Sequence, residues 1–373
     1  MLRRLAITSF FLLVVWLVCL LPVAAIVHWL FEFSWVYMLP ASILLTVVYA
    51  FGSLQLLRNG PDWLAFVSMQ FMGVCSVGWL VVITGLFIEF FIPGFNPVVP
   101  VVIVWTALAA FGIYNAFSVT TVFHKISDYR IEQPVRVIQL TDVHIGSRRA
   151  NFLERVVNMT KELTPDVTVI TGDLIDLSRV EATDLQALSR LRCPVLMSTG
   201  NHERYIDFEK ALAAVESHGV TVLRDTSTIQ NGITFIGMDD REATGELEST
   251  LQSILVEKSR TAAKVPSENY TIVLYHKPDG WRYVKKNSLP LMLAGHTHKG
   301  QVWPFDILVK RRYPEIYGWY DDNRSALYVS CGTGTWGPVM RLGSRNEINV
   351  FDLMPGSNSN TIKANQSSSL RKA

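Results

Sequence analysis

The first 124 residues nearly lack charge. They hold three basic side chains, Arg3, Arg4 and Arg58, and three acidic ones, Glu32, Asp62 and Glu89. A stretch that poor in charge cannot present a solvated surface, which excludes an ordinary water-soluble domain there. Cysteine is also scarce, with Cys19, Cys75, Cys193 and Cys331 in 373 residues and no Cys-x-x-Cys spacing. That excludes a disulfide framework and a thiolate zinc site, and fits a reducing compartment. A net charge of +2 lacks the basic excess of a nucleic-acid binder, so no nucleic-acid partner is expected.

What fills the first third is apolar. Four runs, roughly 5–27, 35–57, 63–88 and 98–117, each reach the length of about 20 residues that a helix needs to cross a bilayer. Trp29, Trp35, Tyr37 and Trp63 lie near the ends of runs, where aromatic rings favour the interface. Arg3 and Arg4 before the first run suggest a signal sequence, but the run is longer than a signal core and three more follow, so an anchor is expected. Arg3, Arg4, Arg58, Lys125 and Arg130 all fall on one side of a four-span arrangement. The positive-inside bias makes that side cytoplasmic and sends the remainder of the chain there. The expected setting is multi-pass in a cell inner membrane or plasma membrane, with the lipid bilayer as partner. His28 and Glu89 lie near span ends and are expected at the interface rather than in a proton relay.

Beyond residue 124 the composition changes to that of a soluble protein. The expected organisation is a four-helix transmembrane region at 1–117, a linker at 118–134, a catalytic domain at 135–354 and a disordered tail at 355–373. Within the domain, an apolar run at 135–140 ends in Asp142-x-His144. A helical period at 151–163 follows, then a buried strand at 166–170 ending in Gly172-Asp173-x-x-Asp176. A third strand at 194–198 runs into Gly200-Asn201-His202-Glu203. Repeats near 30 residues are βαβ wiring and bring successive strand ends to one rim. Later strands deliver His276 and Gly295-His296-x-His298. Ligands bind beyond the carboxyl ends of strands in such sheets.

Asp142, His144, Asp173, Asn201, His276, His296 and His298 are imidazoles, carboxylates and one amide. Without thiolates, that set suits Mn²⁺, Fe²⁺ or Zn²⁺. Seven donors exceed one ion's needs but suit two divalent ions sharing Asp173 as a bridge. Two metals about 3.5–4 Å apart clamp a phosphoryl group and acidify water to hydroxide that can attack it. His202 could protonate the leaving oxygen, while Asp176 and Glu203 could orient the histidines. Each residue taken singly has an ordinary explanation, as a helix cap, a turn or a structural histidine.

In order and spacing these motifs resemble the calcineurin-like metallophosphoesterases over about 135–354. The resemblance implies an α/β fold, a four-layer α/β/β/α sandwich behind the four transmembrane helices. It implies one metal held by Asp142, His144, Asp173 and His298, and a second held by Asp173, Asn201, His276 and His296, with Mn²⁺ preferred. His202 would be the catalytic histidine. The helices and the run Ser330-Cys331-Gly332-Thr333-Gly334-Thr335-Trp336-Gly337-Pro338 through Arg341 resemble the family's membrane-associated bacterial branch. Some members of that branch cleave lipid-linked phosphoesters, including UDP-2,3-diacylglucosamine. The expected function is therefore a membrane-anchored phosphoesterase cutting a phosphodiester or pyrophosphate, lipid-borne in the favoured reading. Alternatives are a hydrolase of soluble nucleotides or phosphomonoesters, and a sensor or transporter with a regulatory phosphoesterase-like domain. Arg148, Arg149 and Arg341 are candidate contacts to substrate phosphate.

Overall fold

The computed structural model describes residues 2–241, 245–261, 269–322, 324–357 and 367–370. It falls into two compact units. One is Met1–Asn115 with Gly337–Leu342; the other is Ala116–Trp336 with Gly343–Ala373.

The first unit is helical. α1 (Leu2–Val15) continues through a π-helical turn, Trp16–Leu20, into α2 (Leu21–Phe31), so Pro22, which has no N–H to donate, follows directly on the π-helical turn. α3 (Trp35–Asn59), α4 (Asp62–Phe91) and α5 (Val98–Phe117) follow. Four stretches, Thr8–Phe31, Trp35–Leu56, Trp63–Phe91 and Val98–Phe117, are long and apolar enough to cross a membrane, as the four runs predict. Phe10, Val36, Leu44, Phe51, Phe90 and Ile103 are exposed, an outward apolar surface suited to lipid rather than water. Between helices, Trp16 Nε1 donates to Ser42 Oγ (2.9 Å) and Trp29 Nε1 to Glu89 Oε2 (2.8 Å). His28 Nε2 lies 3.3 Å from Glu89 Oε1.

The segment Gly337–Leu342 belongs to this helical unit although it comes late in the chain. Val339 N donates to Gln70 Oε1 (3.1 Å), Arg341 N to Gly112 O (2.9 Å), and Asn115 Nδ2 to Arg341 O (3.4 Å). A continuous domain over 135–354 is thus interrupted: six residues belong to the helical unit, and Val339 and Arg341 bond to its helices through their backbone.

The second unit has two sheets. In chain order its elements are β1 (Val119–Asp128), β2 (Val135–Leu140), α6 (Ala150–Glu162), β3 (Val167–Thr171), a 3-10 segment at Ala182–Arg190, β4 (Val195–Ser198), α7 (Phe208–Glu216) and β5 (Val220–Val222). Then come β6 (Thr226–Gln230), β7 (Ile233–Gly237), α8 (Gly245–Thr261), β8 (Thr271–Leu274), α9 (Trp281–Lys286), β9 (Leu291–Ala294), α10 (Phe305–Arg312), β10 (Gly318–Asp321), β11 (Ala326–Val329), β12 (Asn346–Pro355) and β13 (Ser367–Leu370). The first sheet runs β13-β1-β12-β2-β3-β4-β5 and the second β10-β11-β9-β8-β7-β6.

Strand alternation builds the layers. Val137, Val167, Val169 and Leu196 face Phe235, Ile272, Leu274, Leu293 and Tyr328 in a core between the sheets. Their neighbours Ile138, Leu140, Ile170 and Met197 turn the other way, onto Phe152, Val156 and Val157 of α6 and Ala211 and Val215 of α7. Across the second sheet, Ile236, Val273 and Met292 pack on Leu247, Leu251 and Ile254 of α8 and on Trp281 and Val284 of α9. The result is the expected α/β/β/α sandwich.

Two expectations about the edges need correction. The supposed linker at 118–134 contains β1, which pairs in parallel with β12 from Val119↔Asn346 to Asp128↔Pro355. Its Thr, His, Lys and Ser residues hide a strand whose β-branched start, Val-Thr-Thr-Val, suits a pleated surface. In the supposed disordered tail at 355–373, Ser367–Leu370 pairs antiparallel with β1, while 358–366 and 371–373 lie outside the described residues. The helix expected at 242–261 is described from Gly245.

Candidate metal centre

Five strand ends converge. Asp142 and His144 leave β2, Asp173 leaves β3, Asn201 follows β4, His276 follows β8, and His296 and His298 follow β9. Asp142, His144, Asp173, His276 and His298 are buried, while Asn201, His202 and His296 are partly so.

Bringing short loops so close strains the backbone. Asp142, His144, Asp173, His296 and His298 all have φ between 48° and 71°, in the left-handed region that side-chain-bearing residues seldom enter. Such strain persists only where surrounding bonds over-determine it, and it gathers at functional sites. Here Asp142 N donates to Gly172 O, His144 N to Asp173 O, Gly334 N to Asp142 O and Thr333 N to Thr141 O. Two glycines leave room for the carboxylates. A Cβ on Gly200 would collide with Asp173 Oδ1, and one on Gly295 with Asp142 Oδ2.

The polar atoms meet around Asp173 Oδ2. It lies 3.0 Å from His276 Nε2, 3.9 Å from His144 Nε2 and 4.0 Å from His202 Nε2. The other oxygen, Oδ1, accepts from His202 N (2.9 Å). His298 Nε2 is 3.2 Å from Asp142 Oδ1 and 3.0 Å from His144 Nε2. His276 Nδ1 lies 2.8 Å from Thr171 O, which fixes the proton on Nδ1 and aims Nε2 inward. Among the described residues, three groups could hold a metal ion: Asp142, His144 and His298; His144, Asp173 and His202; Asp173, His276 and His296.

The electrostatics favour positive charge at this point. Burial pushes the Asp173 carboxyl up, but His276, His202 and His144 outweigh it and hold it well below the usual range. Burial also pushes Asp142 up, and there His298 and His276 win, again leaving a low value. Burial pulls His276 down, yet Asp173 and Asp142 raise it to about 10. His296, buried and beside His276, is pushed down to about 3. Asn201 Oδ1 is buried without a hydrogen bond, and His276 Nε2 has the Asp173 carboxylate in front of it at 3.0 Å. Facing ring nitrogens, an unpaired amide oxygen and anionic carboxylates are what a divalent cation satisfies, so these side chains fit such ions.

Around this cluster the second tier divides. Asp176 accepts from Ser147 N (2.9 Å) and Oγ, with Oδ2 3.5 Å from His144 Nδ1, close to the orienting position expected for it. Glu203 does something different from orienting a histidine. Its buried carboxylate accepts from the backbone N–H of Asp173, Leu174, Ile175 and Gly200, at 2.7–3.1 Å, and so ties the β3 and β4 loops together. Burial and the charge of Asp173 push its pKa up to about 7.

The three candidate arginines stand in three different settings. Arg148 is buried with its guanidinium 3.8 Å over the Phe152 ring, a cation–π arrangement that draws it inward. Arg341 is fully buried within the helical unit. Arg149 is exposed just before α6. Sequence reading missed two tyrosines. Tyr313 Oη lies 3.0 Å from His296 Nε2, and Tyr205 Oη accepts from Asn201 Nδ2 (3.3 Å) with its ring 5.2 Å from His202. Tyr205, four residues after Asn201 in the same turn, was findable by spacing; Tyr313 had no local signal. On the other flank of His202 stands Trp336, with ring centroids 5.8 Å apart.

The family model described as calcineurin-like phosphoesterase matches residues 135–300. The chain carries a calcineurin-like metallophosphoesterase domain. This metallophosphoesterase domain is similar to an uncharacterized metallophosphoesterase of Helicobacter pylori, 30% identical over 232 residues, 61% of this chain and 61% of the relative. It is similar also to a transmembrane protein with metallophosphoesterase domain of Danio rerio, 32% identical over 279 residues, 68% of this chain and 62% of the relative. The chain thus matches about three-fifths of the length of these relatives. A solved dimetal phosphatase of Danio rerio overlaps 52% of this chain and 86% of its own, at 11% identity and a TM-score of 0.31.

Proposed function

We propose that the chain is a membrane-anchored, metal-dependent hydrolase of a phosphodiester or pyrophosphate. The observation that carries this is the convergence of donor atoms on Asp173 Oδ2 within a strained, buried pocket that favours positive charge. Asp142, His144, Asp173 and His298 would hold one divalent ion; Asp173, Asn201, His276 and His296 would hold the other. Mn²⁺ suits these oxygen and imidazole donors, with Fe²⁺ and Zn²⁺ as competitors. Two such ions, when bound, neutralise phosphoryl oxygens and make water acidic near neutral pH.

The protein's own contributions follow from its contacts. Asp142 and Asp173 keep their negative charge at any physiological pH. His276 presents Nε2 because Thr171 O holds Nδ1. Glu203 keeps the Asp173 and Asn201 loops in register through four backbone bonds. His202, its ring flanked by Tyr205 and Trp336, is suited to bond a phosphoryl oxygen or hand its proton to the leaving oxygen.

The favoured substrate is lipid-linked, of the UDP-2,3-diacylglucosamine kind, because four apolar helices exceed the needs of an anchor. The positive residues Arg3, Arg4, Arg58, Lys125 and Arg130 support a cytoplasmic catalytic domain in an inner or plasma membrane.

The test uses purified full-length protein with Mn²⁺ and a chromogenic phosphodiester. Asp173→Asn should lose about 10²–10³-fold or more in kcat, the scale of removing one electrostatic stabiliser of a transition state. Bound metal measured by elemental analysis should fall with it. Equal turnover and metal content in the variant would sink the proposal. A higher kcat/KM for UDP-2,3-diacylglucosamine than for free nucleotides or phosphomonoesters separates the lipid reading from its rival.

A further inference from the structure

α10 is anomalous within the two-sheet unit: none of its eight residues is buried. Helices of a sandwich form because one stripe packs on a sheet, and α10 has no such stripe. Phe305 and Val309 are only partly buried, and the other apolar side chains face outward. Ile307 and Leu308 are more than half exposed, as is Trp303 just before the helix. Within the helix, Ile307 and Arg311 are four residues apart and share one face, with Leu308 beside Ile307. The last turn carries Lys310, Arg311 and Arg312, all exposed. Arg312 is partly engaged, 3.6 Å from Asp279, while the helix's single acid, Asp306, packs against Gly300 at the opposite end.

This excursion leaves and rejoins the chain at the metal cluster. It starts just after His298, Lys299 and Gly300, and ends at Tyr313, whose hydroxyl meets His296. Its base is braced by Gln301, which donates through Nε2 to Trp336 O (2.9 Å) and accepts at Oε1 from Trp336 N (3.0 Å). Trp303 lies against Gly343. Trp336 and Gly343 are the residues between which the chain departs into the helical unit and returns. Trp336 is itself half exposed.

We propose that residues 302–313 form a docking element for an anionic lipid surface, with Trp303, Ile307 and Leu308 entering the acyl boundary and Lys310 and Arg311 meeting lipid headgroups. Exposed Trp, Ile and Leu beside clustered Lys and Arg are the composition that lies in a membrane interface. The occupant is lipid rather than a protein because the apolar patch is edged by basic charge. Four helices able to cross a bilayer also keep such a surface within reach of the same chain. The docking goes beyond the hydrolase reading and does not depend on it.

The experiment uses the full-length protein with Cys193→Ser, which removes the partly exposed native thiol; Cys19, Cys75 and Cys331 are buried. A thiol is placed by Leu308→Cys, and by Glu209→Cys as a control at an exposed position of α7. Labelling by a membrane-impermeant maleimide is timed in lipid-free amphipol, in phosphatidylcholine nanodiscs, and in nanodiscs containing phosphatidylglycerol. At Leu308→Cys the rate should fall at least about tenfold in the anionic discs and recover with Lys310→Glu/Arg311→Glu, each basic residue near the surface being worth about fivefold in occupancy. At Glu209→Cys it should not change. Equal rates at Leu308→Cys in all three media overturn the proposal. So does protection that persists in amphipol, which would mean a second copy or the chain itself covers α10, and so does protection equal in neutral and anionic discs. Turnover of the soluble chromogenic diester, recorded on the same samples, reports the hydrolase reading separately: it should survive Lys310→Glu/Arg311→Glu.

Discussion

Leu44, in α3, is 67% exposed, whereas Phe235, in β7, is fully buried. Both are large apolar side chains in regular structure, and their opposite placement separates the two units. In the two-sheet unit, apolar side chains leave water by facing each other across the sandwich, so burial carries the stability. In the helical unit they face outward, and the stabilising partner has to be lipid. One substitution should therefore read differently in the two regions. Phe235→Ala opens a cavity between sheets and should cost about 3–5 kcal/mol of unfolding free energy, read by denaturant titration of the detergent-solubilised full chain. A cost below about 1 kcal/mol would mean that the core between the sheets relaxes freely, and the comparison would lose one side.

The other side is broken by charge rather than by volume. Leu44→Arg puts a guanidinium near the middle of Trp35–Leu56. It should cost about 2.5–3.5 kcal/mol of insertion free energy, visible as a drop in the inserted fraction of an in vitro translocation assay. At an exposed apolar site of the two-sheet unit, such as Ile229, 48% exposed, an added charge should leave stability within about 0.5 kcal/mol. If Leu44→Arg inserts as well as the unmodified chain, α3 is not a membrane span.

The same contrast explains what could be read from sequence. Buried strands announce themselves as short apolar runs, so β2, β3, β4, β8 and β9 and the polar groups at their ends were legible. The membrane helices were legible for the opposite reason, length without charge. Edge elements were not. β1 carries polar residues even at buried positions, where His124 is satisfied by Asn349 and Trp319, and its partner β12 lies more than 200 residues away. Gly337–Leu342 has no signal of its own, since its backbone finds Gln70, Gly112 and Asn115 through the tertiary fold. Glu203 was recognised as a neighbour of the cluster but its task was misjudged. Spacing along the chain shows which groups are near, not that four backbone N–H groups will converge on one carboxylate.

Glu203 gives the next test. Glu203→Gln keeps the shape but replaces an acceptor oxygen by an amide that cannot accept from N–H groups. The two loops should lose about 1–3 kcal/mol of stabilisation, the cost of leaving buried donors unpaired. Metal affinity should drop about 10–100-fold, as for other groups that position ligands without touching the ion. Competition with a chelator of known affinity measures it. Unchanged affinity would show that the strained residues around Asp173 hold their geometry without this clamp.

The smallest effect belongs to the helical unit's own polar contacts. Trp16 Nε1 to Ser42 Oγ is a hydrogen bond between the first and second spans. In water-facing proteins a buried pair of this kind matters because its loss strands a polar group. Within a bilayer, the separated helices also find partners, so such bonds average only about 0.6 kcal/mol. A double-mutant cycle of Trp16→Phe and Ser42→Ala, read by detergent-induced unfolding of the helical unit in the full chain, should return a coupling near that value. A coupling above about 2 kcal/mol would exceed the range of such bonds in membranes. It would mean that directional contacts, rather than lipid-facing apolar surface and helix packing, hold this unit together, and that the two regions resemble each other more than Leu44 and Phe235 suggest.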